Sequence, residues 1–137
     1  MDKNVQGDIQ KLIDYSVGFA ESLLTDSGEF FPFGAKIYLS GELKPVGYYE
    51  EDEFPESQKV IDVLSTVFEK ELNGKVIRSY CIAYDVRVTN EDFPTPTDAI
   101  VILFKHMDLN CELNYYYPYK LKENSGIEFL EPWAEQK

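Results

Sequence analysis

Residues 99–104 read Ala-Ile-Val-Ile-Leu-Phe, six apolar side chains in succession. A β-strand turns alternate side chains to opposite faces, so an unbroken apolar run of this length needs cover above and below a sheet. The run therefore predicts a central strand. The segments around it predict its neighbours. From Lys75 to Thr89 the chain alternates Val76, Tyr80, Ile82, Tyr84, Val86 and Val88 against Ser79, Cys81, Ala83, Asp85 and Arg87, a long strand at period two. After a polar, proline-containing loop (90–98) and the central strand, Asp108-Leu109-Asn110 reads as a hairpin turn. Residues 111–119 then alternate again, with Cys111, Leu113, Tyr115 and Tyr117 on one face. Ile127-Glu128-Phe129-Leu130 is a candidate short strand before Pro132.

The first half of the chain has a different period. Val5, Ile9, Leu12, Ile13, Val17, Ala20, Leu23 and Leu24 recur at spacings of three and four, the stripe of an amphipathic helix over residues 3–25. Thr25-Asp26-Ser27-Gly28 ends it. Two strands follow, Phe31–Leu39 and Leu43–Tyr49, joined at Ser40-Gly41-Glu42. Pro45 and Gly47 make the second an edge or bulged strand, because proline has no N–H to give a ladder. A second helix carries Val60, Ile61, Leu64, Val67, Phe68 and Leu72. Asp52 or Glu53 is expected to cap it, Pro55 to sit in its first turn and Gly74 to close it at C′. The expected order is α-β-β-α-β-β-β, a single α+β domain spanning 1–137. Its simplest packing is an antiparallel sheet of about five strands with both helices on one face.

Charge narrows the function classes. The 137 residues carry 25 acidic and 13 basic side chains, a formal charge of −12. Such a surface repels nucleic-acid phosphates and anionic membranes, and it steers a basic protein partner inward. No apolar stretch is long enough to span a bilayer, and the amino-terminal fifteen residues have no apolar signal-peptide core. With Cys81 and Cys111 placed inside strands and no metal-ligand spacing, the expectation is a cytoplasmic protein with reduced thiols, without metal or cofactor.

Four places could carry function. His106, the single histidine, follows the central strand close to Asp108 and across the turn from Cys111, so a Cys–His pair is conceivable there. The acidic run Glu50, Glu51, Asp52, Glu53 begins the second helix. It lacks the glycine and ligand spacing of a calcium loop, which makes it an acidic face, solvated or presented to a basic partner, rather than a metal site. Tyr115, Tyr116, Tyr117 and Tyr119 form the most unusual local composition; a strand sends these rings to both faces, and tyrosine is favoured at interfaces. Trp133, in Glu131-Pro132-Trp133-Ala134-Glu135, anchors either the tail or a partner. There is no phosphate-binding glycine loop, nucleophile elbow or zinc-ligand pair.

Glu29-Phe30-Phe31-Pro32-Phe33-Gly34-Ala35, after a first helix and opening the first strand, resembles an E-[FY]-[FY]-P-F-G-A motif of small bacterial α+β proteins. In that family a later strand ends near a histidine, as at His106, and a Pro-Tyr pair closes the next, as at Pro118-Tyr119. Some members are suspected immunity proteins of toxin systems. The resemblance implies a non-enzymatic binding protein of immunity type and assigns no catalytic residue. Two other readings stand beside it. One is a small-molecule-binding or minor enzymatic domain with an aromatic-lined pocket at Phe31, Phe33 and His106. The other is a homo-oligomerising structural subunit.

Overall fold

A computed structural model describes residues 3–47, 56–89, 91–123 and 126–136. The elements run α1 (Lys3–Ser27), β1 (Phe33–Tyr38), β2 (Leu43–Val46), α2 (Ser57–Asn73), β3 (Ile77–Val88), β4 (Thr97–His106), β5 (Leu113–Leu121), β6 (Ile127–Phe129) and β7 (Trp133–Gln136). Among the described residues the class is α+β with one antiparallel sheet, of seven strands rather than five. Its order is β2-β1-β3-β4-β5, and the outer edge of β5 is shared by β6 and β7. Neither helix is long and apolar enough to cross a membrane among the described residues.

The helices lie on opposite faces, not on one. Val5, Leu12, Ala20 and Leu24 of α1 pack on Ala35, Ile37, Cys81, Ala83, Ile100, Ile102 and Phe104. Val60, Leu64 and Phe68 of α2 pack on Ile77, Tyr80 and Ile82, with Tyr84 and Leu103 at the margin. Alternate residues of β3 and β4 thus feed two separate cores. The physical reason lies in residues 99–104: an apolar side chain on each face of β4 must leave water, and one helical layer cannot cover both. Ion pairs from Lys36 to Glu71 (2.9 Å) and from Lys105 to Glu69 hold α2 across its face of the sheet.

Local sequence explains the ends of the elements. Gly41 takes φ 95° in the β1–β2 turn, and β2 is an edge strand as its proline requires. Gly34 has a different task. A Cβ there would stand 2.6 and 2.8 Å from ring atoms of Phe68, so the missing side chain is what lets α2 lie down on β1. The close of α2 differs from expectation by one residue. Val76 N–H donates to Glu71 O (2.9 Å) and Lys75 N–H to Leu72 O (3.2 Å), which makes a Schellman motif with Lys75, not Gly74, in the left-handed C′ position at φ 58°. At the other end Glu56 is the N-cap, with no side-chain capping bond; Asp52, Glu53 and Pro55 lie outside the described residues.

β7 has no counterpart among the expected strands. Leu130 N–H donates to Pro118 O (2.8 Å) where β6 hands over to β7. In an antiparallel strand one residue's N–H and C=O point the same way, so Pro118 withholds its donor at the very break between the two short strands.

Candidate functional site

Two constellations stand out, one buried and one open. The buried one is built on Asp8, which occupies the apolar stripe of α1 between Val5 and Leu12 and is 1% exposed. Its carboxylate accepts Arg78 Nη2 at 2.7 Å and Arg78 Nε at 2.9 Å, Ser79 Oγ at 3.0 Å and His106 Nε2 at 3.0 Å. Ser79 and His106 are register partners on β3 and β4. Asp108 N–H donates to His106 Nδ1 (3.0 Å), so that nitrogen accepts while Nε2 donates to the Asp8 carboxylate. Burial alone would raise the Asp8 carboxyl, but hydrogen bonds and charge from Arg78, with help from Ser79 and His106, hold it below its ordinary range.

This arrangement contains a serine, a histidine and an aspartate, but it is not a nucleophilic triad. Ser79 donates to Asp8 rather than to His106, and both imidazole nitrogens are committed. No nitrogen is left for Cys111, which lies in the connection before β5 rather than within a strand. Cys81 is buried 3.3 Å from Ser16 Oγ, and burial pushes its thiol up to about 11, far from a thiolate nucleophile. The chemistry of the cluster is mechanical: a charged tether fastens α1 to β3 and β4.

The Phe31, Phe33 and His106 pocket does not assemble. Phe33 pairs with Ala83, whereas His106 pairs with Ser79, four residues along β3 and about 13 Å away. Phe31 and Phe33 line a shallow recess with Phe19, Leu23, Phe30 and Pro32. His106 borders a separate hollow of about 390 Å³ beside Glu69, Lys75 and Lys105, but its ring is closed to solvent. Glu50, Glu51, Asp52 and Glu53 lie outside the described residues.

The tyrosines divide between the two faces as strand alternation requires. Tyr115 and Tyr117 lean against the α1 core, half-buried. Tyr119 is 2% exposed, which leaves it no surface for a partner, and its hydroxyl donates to Asp85 at 2.9 Å. Tyr116 turns to the other face.

There Tyr116 meets its register partner Trp133, and the rings lie parallel (6°) with centroids 4.9 Å apart. Phe93, from the β3–β4 loop, extends the stack at 6.1 Å and 26° to Trp133. Beside these rings runs a groove of about 650 Å³ lined by Phe93, Pro132 and Trp133 and by the carboxylates of Glu91, Asp92, Glu131 and Glu135. Burial and the bonded Glu135 raise the Tyr116 phenol, which keeps it a neutral donor to that carboxylate. The rings and acid groups that line the groove come from two segments far apart in the chain. Glu91-Asp92-Phe93 reads as ordinary polar loop, so its part in the site had no signal. Tyr116 and Trp133 were each visible as unusual residues, but their meeting depends on β7.

Comparison with protein-family models, with curated protein sequences and with solved structures finds no match to this chain.

Proposed function

We propose that the protein is a non-enzymatic binding protein that receives a basic protein partner in the acidic–aromatic groove between the β3–β4 loop and β7. The observation that carries this reading is the groove itself, where four carboxylates surround partly exposed aromatic rings. Carboxylates at the rim accelerate the encounter with a cationic surface, and the rings supply apolar area once water leaves. The formal charge of −12 adds long-range attraction of the same sign. The resemblance of Glu29–Ala35 adds a specific form of this reading, an immunity-type protein that covers the basic surface of an effector.

Trp133 is the only tryptophan, so intrinsic fluorescence reports on the groove without a label. The test is a titration with a short peptide of mixed arginine and lysine, using two variants of equal net charge. One is Glu91→Gln/Asp92→Asn/Glu131→Gln/Glu135→Gln in the groove. The other is Glu21→Gln/Asp26→Asn/Glu29→Gln/Glu123→Gln elsewhere on the exposed surface. The groove variant is expected to lose about tenfold or more in affinity and the control about twofold. Equal losses, or no binding by the unaltered protein, would overturn the proposal.

A further inference from the structure

We infer that the groove is a guanidinium site, and that the basic partner is recognised through an arginine side chain laid against Phe93 and Trp133 where they line it. The inference rests on the basic-partner reading above and names the chemical group that reading leaves open. The structure offers a cation two kinds of contact at once. Phe93 and Trp133, the rings that line the groove, give aromatic surface. Glu91 and Asp92 on the β3–β4 loop, with Glu131 and Glu135 on the segment that carries Trp133, provide acceptors from two separate stretches of backbone.

Arginine and lysine use such a site differently. A guanidinium is planar and weakly hydrated, and it can lie on an aromatic face while its edge N–H groups reach carboxylates to either side. An ammonium is a compact, strongly hydrated point charge; it gains the rim carboxylates but leaves the rings largely unused. The carboxylates attract either cation alike, so the discrimination comes from the aromatic contact. The expected preference is about fivefold to tenfold for arginine.

The experiment compares two peptides of equal length and charge, one alternating arginine with glycine and the other lysine with glycine, by calorimetry and by Trp133 fluorescence. The arginine peptide is expected to bind about fivefold to tenfold more tightly and to shift the tryptophan emission more strongly. Trp133→Leu, read by calorimetry after circular dichroism confirms the fold, is expected to abolish the preference while lysine-peptide affinity changes little. Because Trp133 also stabilises β7, Phe93→Leu serves as a second variant at the neighbouring ring, with a reduced preference expected. Equal affinities in the unaltered protein, or a preference that survives both variants, would overturn the guanidinium assignment and leave the basic-partner reading intact. Binding of neither peptide would remove that reading itself.

Discussion

Replacing Asp8 by alanine removes one acceptor that serves three donors, Arg78, Ser79 and His106. Arg78 keeps 20% of its side chain in solvent and has Leu39 O within 3.5 Å, so part of its hydrogen bonding is recovered. His106 Nε2–H has no such alternative, because its side chain is 1% exposed, and Ser79 is fully buried. An unsatisfied buried donor costs about 1–3 kcal/mol, and breaking a buried ion pair costs about 3–5 kcal/mol. Discounting the arginine for its solvent contact leaves an expected loss of about 3 kcal/mol. For a chain of this length that lowers the melting temperature by about 10 °C. With a urea m-value of about 2 kcal/mol/M, the midpoint moves by roughly 1.5 M. Urea unfolding at neutral pH, followed by far-ultraviolet circular dichroism and by Trp133 fluorescence, measures the change. A loss below about 1 kcal/mol would refute the assignment of Asp8 as the tether between α1 and the sheet. The same group gives an acid signature. Folded Asp8 titrates below 3.8, so between that lowered value and 3.8 the unfolded chain binds more protons than the folded one. Its stabilisation is therefore complete above that window and is lost as pH falls through the folded value. Asp8→Asn is expected to flatten this acid limb.

Gly34→Ala would force a methyl group to within 2.6 Å of the Phe68 ring, and chemical denaturation should show a loss of about 1–3 kcal/mol. Lys75→Gly relieves a left-handed residue at the Schellman C′ position and is expected to stabilise by about 1 kcal/mol in thermal unfolding. Asp85 titrates in the opposite sense to Asp8. Burial and Asp98 push its carboxyl up to about 6 although Tyr119 donates to it, so folded protein retains this proton longer and stability falls as pH rises from about 4 to about 6. Asp85 keeps solvent contact, so the effect is well below the roughly 3 kcal/mol of a sealed site. Asp85→Asn is expected to remove that decline, checked by melting temperature across pH 4–7.

How far each feature was legible follows from the range of the interaction that makes it. The stripe Val5, Leu12, Ala20, Leu24 and the alternation around Tyr80 and Ile82 are periodic along the chain, and both produced the expected elements. Asp8 and Ser16 fall on the same helical stripe, at spacings of three and four from its buried residues, yet they are polar. That misplaced polarity was the available signal for the buried tether, because a polar residue on an apolar stripe needs a partner across the core. Trp133–Gln136 carried no alternation long enough to mark a strand. It became one because β5 offered an open edge.

Sequence alone determined what local geometry and composition can determine: two amphipathic helices, a central strand needing cover on both faces, an edge strand at Pro45, and a formal charge of −12. Tertiary structure decided which face each helix took, which acceptor His106 found 98 residues away, and that Phe93, Tyr116 and Trp133 form one stack. The physical reason is that side-chain period is set by a few neighbouring backbone angles. Contacts between distant segments depend on how the whole chain closes around its two cores, and no local pattern encodes that closure.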